Sequence, residues 1–217
     1  MGLHTESKMD NEGAIRIVEE SVPKSGLEQK AKEELLCFLG HKANASSQPV
    51  VDAVVLGLVD VCEFLLLSGC DIDEIDTNLD NTFWSPLMYA ISSGRNDIFN
   101  LLLDNGADIH YWAVEQEQCP LGLAAYHGQT EMFFELVRRG AQLDLEYYDE
   151  IIYHVFRYTM EELLSDAICS RNEKIARYLV GQGCKLDAPL LPGPESIREF
   201  ARRTNALDFL NLVKSKQ

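Results

Sequence analysis

A proline, an alanine and two glycines recur in the same order along this 217-residue chain. That recurrence constrains the fold more than any other feature of the sequence. In the segment from Asp80 to Trp112, Pro86 is followed by Ala90, Gly94 and Gly106. The series returns 34 positions on as Pro120, Ala124, Gly128 and Gly140, and stands 37 positions earlier as Pro49, Ala53, Gly57 and Gly69. A fourth copy has Leu163 in place of the proline but keeps Ala167 and Gly183, and a fifth, truncated copy keeps Ala201, Phe209 and Val213. A fixed period of roughly 20–50 residues marks a repeat array, in which each unit buries its apolar face only against its neighbours.

Each mark has a physical task. The proline opens a helix where its missing N–H costs nothing. The alanine suits a close helix crossing that a larger side chain would obstruct. Gly57, Gly94 and Gly128 allow a tight turn between antiparallel helices, and the later glycines can end the second helix in a left-handed conformation. Apolar spacing such as Ile98, Leu101 and Leu102 is helical and not alternating.

The unit from Asp80 to Trp112 resembles the ankyrin repeat. Ser85-Pro86-Leu87-Met88 stands where that family has Thr-Pro-Leu-His, and Gly106-Ala107-Asp108-Ile109 closes the unit. The resemblance implies an all-α ankyrin-repeat solenoid of stacked helix-turn-helix units with hairpin or finger loops. The expected organisation is a tail over 1–13 and N-terminal capping helices over 14–42. Repeats follow over 43–190, at about 43–75, 80–112, 114–146 and 157–189, with an insertion at 147–156, and a C-terminal capping repeat occupies 191–217. The capping helix rests on the amphipathic run Leu27, Ala31, Leu35, Leu36, Phe38 and Leu39.

Charge is the second constraint. The net charge of −16 falls entirely within residues 43–156, which hold 19 acids against Arg95, Arg138 and Arg139. Residues 1–42 carry a net −2 and residues 157–217 a net +2. An acidic array repels nucleic acid and anionic lipid, so neither is expected as a partner. It attracts a basic protein surface and speeds encounter with it. The alternative is that the acids only keep the protein soluble. No apolar run reaches the ~20 residues that span a bilayer, and residues 1–13 lack the apolar stretch of a secretory signal. Both point to a cytoplasmic protein.

Candidate contact residues follow from the resemblance, which places binding positions in the fingers and near the ends of the first helices. They are Asp73, Glu74, Asp76, Asp80, Asn81, Trp84, Ser92 and Ser93; Tyr111, Trp112, Glu115, Gln116, Glu117, Tyr126 and His127; and Glu146, Tyr147, Tyr148, Asp149 and Glu150. Trp84, Tyr111, Trp112 and Tyr126 supply the aromatic anchors common at interface hot spots. Each tryptophan has a second reading, as a brace for its own finger. In the insertion, Ile151, Ile152, Val155 and Phe156 have the alternative of extending the fourth repeat's packing.

Catalysis finds little support. The histidines show no metal spacing, and no nucleophile elbow, phosphate loop or kinase signature is present. The six cysteines contain no Cys-x-x-Cys pair, which argues against a metal finger and for buried thiols acting as small apolar residues. No cofactor, metal or small-molecule substrate is expected. Two binding functions fit: a dedicated inhibitor or immunity-type protein that covers a basic partner such as a toxin, or an adaptor or host-directed effector bridging two proteins. An enzyme on an atypical scaffold, built around His127, is the third and weakest reading.

Overall fold

The computed structural model describes residues 48–76, 83–149, 154–190 and 193–215. The expected tail and N-terminal capping helices lie outside the described residues. Within them the chain forms five antiparallel helix pairs. These are α1 (Pro49–Leu56) with α2 (Val59–Leu67), α3 (Pro86–Ser92) with α4 (Asn96–Asp104), α5 (Pro120–Tyr126) with α6 (Thr130–Arg138), α7 (Met160–Cys169) with α8 (Glu173–Gly181), and α9 (Ile197–Arg203) with α10 (Leu207–Ser215). The fifth copy is thus a complete pair. The first helices stack in order, α1 on α3, α3 on α5, α5 on α7 and α7 on α9, which makes the array a solenoid.

The alanines form the expected ladder. Ala53, Ala90, Ala124, Ala167 and Ala201 are all fully buried, and in every repeat the alanine carbonyl accepts the same bond. The donors are the N–H groups of Leu58, Arg95, Gln129, Asn172 and Ala206, at 2.7–3.0 Å. This bond closes the turn between the two helices, and it requires a left-handed residue just before the donor. Gly57, Gly94 and Gly128 supply it at φ 75°, 67° and 68°, while Arg171 and Asn205 adopt it at 51° and 54°. Only glycine does so without a steric penalty.

Helix openings differ along the array. Pro49, Pro86 and Pro120 stand at the first helical position of α1, α3 and α5. Lacking a proline, α7 opens on Thr159 instead, four residues before Leu163. The Thr159 hydroxyl accepts from the Glu162 N–H, and the Glu162 carboxylate accepts from the Thr159 N–H at 2.6 Å. Ser196 and Glu199 make the same reciprocal pair at the start of α9. Two orphan N–H groups are satisfied each time.

The insertion forms an antiparallel ribbon of β1 (Leu145–Asp149) and β2 (His154–Tyr158), in which Leu145 faces Tyr158 and Asp149 faces His154. It takes in residues on either side of the expected 147–156, because strand pairing continues until Tyr158 reaches the core. Tyr158 is 7% exposed. A Cβ on Gly122 would lie 2.5 Å from its hydroxyl, so the ring fills the space that Gly122 vacates on α5. The ring also meets Trp112 edge-on at 5.9 Å, and the hydroxyl donates to Asp166 on α7. One insertion-borne side chain therefore joins the third repeat to the fourth.

Candidate functional site

The stacked register sorts the surface into rows. The last residues of each first helix, two and three positions past the ladder alanine, make one row. It reads Val55-Leu56, Ser92-Ser93, Tyr126-His127, Cys169-Ser170 and Arg203-Thr204. The sequence-expected Ser92, Ser93, Tyr126 and His127 stand together in its middle. Tyr126 is 50% exposed and meets the His127 ring edge-on at 5.3 Å. Partial burial lowers the pKa of His127. Neighbouring repeats are tied along this row, since the Ser170 hydroxyl donates to the Ala125 carbonyl at 2.8 Å and the Asn172 amide donates to the Gly128 carbonyl at 2.9 Å.

A second row was not anticipated from the sequence. Three residues past each inter-helix turn, in the first turn of each second helix, stand Asp60, Asp97, Glu131, Lys174 and Asp208, all exposed. Acids suit that place because the helix dipole is positive there. Their equal offset from Gly57, Gly94 and Gly128 is a signal that was present in the sequence.

The fingers behave differently from expectation, because several of their acids turn inward. Glu74 accepts from the Val51 N–H at 2.7 Å, serving the unsatisfied first turn of α1, and burial pushes its pKa up to about 8. Glu74 is thus a half-buried cap of α1. Asp73 accepts from the Asp108 N–H of the next repeat at 2.9 Å, and its pKa is raised, burial first. Asp76 accepts from the Tyr89 hydroxyl at 2.6 Å.

The aromatics divide as well. Trp112 is 5% exposed and sits against Tyr158. It is core and not an anchor, a correction whose cause is the ribbon that covers it. Trp84 is half-buried with its ring 5.3 Å from Tyr89, the bracing arrangement. The Tyr111 hydroxyl donates to the Phe83 carbonyl at 2.6 Å, linking adjacent fingers. Phe83 and Glu117 each stand three residues before a helix-opening proline with φ 48° and 50°. Glu117 is exposed and Gln116 half-buried. In the ribbon, exposed Glu146 is paired with Arg157, Nε to Oε1 at 2.7 Å. Asp80, Asn81 and Glu150 lie outside the described residues, as do the side chains of Glu115, Tyr147, Tyr148 and Asp149.

Buried thiols and carboxylates explain themselves structurally. Desolvation pushes Cys62, Cys119 and Cys184 up to about 12, so these thiols stay protonated and unreactive. Asp166, half-buried beside Tyr158, rises to about 7, with desolvation the largest cause and Glu162 a further one. The five cysteines among the described residues are free. No group of three or more metal-ligating side chains occurs among the described residues, and no helix there is long and apolar enough to cross a membrane.

Stacked helix pairs that present exposed rows on a rigid ladder define a helical repeat solenoid, a class whose surface binds other proteins. The family model described as ankyrin repeats (3 copies) matches residues 28–113 and 50–147, more than half of the chain, and this chain belongs to the ankyrin-repeat family. It is 27% identical over 164 residues to the Danio rerio protein named "Putative palmitoyltransferase ZDHHC13", covering 75% of this chain and 23% of that protein. It is 31% identical over 104 residues to the Caenorhabditis briggsae ankyrin repeat and KH domain-containing protein CBG24701, covering 48% of this chain and 4% of that protein. The chain thus spans under a quarter of the length of these relatives, and the likeness to the first leaves most of that protein uncovered.

Proposed function

We propose that this ankyrin array binds a basic protein surface through the acid-rich side of its first three repeats, and that it acts as an inhibitor by covering that surface. The observation that carries the reading is the confinement of the charge: 19 acids against three arginines over residues 43–156. Inward-turned acids such as Glu74 reduce the effective charge of the fingers. The outward row of Asp60, Asp97 and Glu131 supports the reading more directly, because these side chains are exposed at a regular repeat spacing. Exposed charges of one sign steer an oppositely charged partner and make the complex sensitive to salt. On this reading the array is a binder and not a catalyst, and it works in the cytoplasm.

The experiment is recovery of the complex from the native cell by tagging this chain, followed by graded salt elution. A partner with a basic surface that elutes early supports the reading. A partner held independently of salt removes its basis. An adaptor role is favoured instead if two partners bind this chain at once without contacting each other.

A further inference from the structure

The row of acids changes sign at the fourth repeat, and the change coincides with a cavity. Lys174 occupies the place of Asp60, Asp97 and Glu131, and Arg171 occupies the left-handed place of Gly57, Gly94 and Gly128. Both substitutions put a cation at one cleft of about 750 Å³, open to solvent, between the third and fourth repeats. Arg177 lines the same cleft and is bonded to Glu173 at 2.7 Å. One Arg171 nitrogen reaches the Asn205 carbonyl at 3.4 Å, and among the described residues neither Arg171 nor Lys174 has a carboxylate partner. The cleft therefore has an excess of cations in a molecule with a net charge of −16.

We propose that this cleft binds the phosphate of a phosphorylated side chain on a protein partner. Guanidinium and ammonium groups lining one cleft match a dianionic phosphate. His127 and Ser170 belong both to the cleft lining and to the exposed first-helix row, so a peptide crossing that row reaches the cleft without leaving the surface. Burial holds His127 below its ordinary pKa. The proposal is independent of the acid-rich surface, because the cations that carry it, Arg171 and Lys174, stand in the fourth repeat and the acids stand in the first three.

The test uses the full chain and three probes: a phosphoserine peptide in a glycine–alanine context, its unphosphorylated twin, and inorganic phosphate. The expected result is saturable binding of the phosphopeptide with an upward shift of the His127 titration followed by NMR. Lys174→Glu and Arg171→Gly are each expected to weaken binding by about tenfold or more. Both variants restore the residue type that other repeats carry, so Tm should hold or rise. Neutralising Asp60, Asp97 and Glu131 should leave this binding intact, which separates it from the basic-partner reading. Equal binding of both peptides, no response at millimolar phosphopeptide, or undiminished binding by the two variants overturns the proposal. Inorganic phosphate binding as tightly as the peptide also overturns it, since that defines a simple ion site.

Discussion

The first three repeats and the last two reach the same backbone geometry with different chemistry. In the first three, proline opens the helix and glycine makes the turn, so rigid or permissive backbones do the work before any contact forms. In the last two, Thr159 and Ser196 capping boxes open the helices, and Arg171 and Asn205 are held in the left-handed turn. The alanine and the bond to its carbonyl are common to both. The ladder is therefore the invariant of the array, and the residues around it are free to set surface charge. The difference extends to surface charge, since the first block carries the excess acids and the second carries Arg171 and Lys174.

The joint between the blocks is where the largest effect is expected. Tyr158→Ala empties the space over Gly122 and removes the donor to Asp166, at a cost of about 3–5 kcal/mol. Urea unfolding should then show the last two repeats melting before the first three. A single unchanged transition would show that Tyr158 does not couple them.

Asp166 gives a pH-dependent version of the same test. Its folded pKa, raised to about 7, lies above its ordinary 3.8, so the folded chain keeps a proton that the unfolded chain releases. Stability is fully present below about pH 4, falls as pH rises toward 7, and is flat above that. Asp166→Asn keeps an acceptor for Tyr158 and removes the ionisation. It should abolish a loss on the order of 2–4 kcal/mol between pH 5 and pH 8, read as the change in unfolding free energy relative to the parent chain. Equal pH dependence of the two proteins would place the carboxyl in contact with water.

The ladder itself predicts equality between the blocks. Ala124→Leu and Ala167→Leu should each destabilise by about 1–3 kcal/mol through overpacking, and a marked difference in thermal melting would mean the two crossings are not equivalent. A smaller contrast lies in the caps, where Thr159→Ala should cost about 1 kcal/mol. Its effect on amide exchange should be confined to the start of α7.

Much of the fold was legible because its marks are local. Pro86, Ala90 and Gly94 each meet a backbone requirement within one helix pair, and repetition makes the requirement visible. Surface roles were less legible. Trp112 looks like an exposed anchor until Tyr158, far along the chain, is laid over it, and the one local sign is Gly122, an unusual residue for a helix's first turn. Glu74 likewise reads as a finger acid, because its bond to the Val51 N–H spans 23 positions. Asp60, Asp97 and Glu131 are less legible because the family resemblance places contacts in the fingers, and their equal offset past each turn lies outside them.

On the proposed function, the acidic row of the first block grips a basic partner. It is tested most directly by measuring Kd against salt for the parent chain and for a variant carrying Asp60→Asn, Asp97→Asn and Glu131→Gln, using the partner recovered from the native cell. Weaker binding at low salt and a flatter salt dependence are expected in the variant. Coincident curves for the two proteins would contradict it.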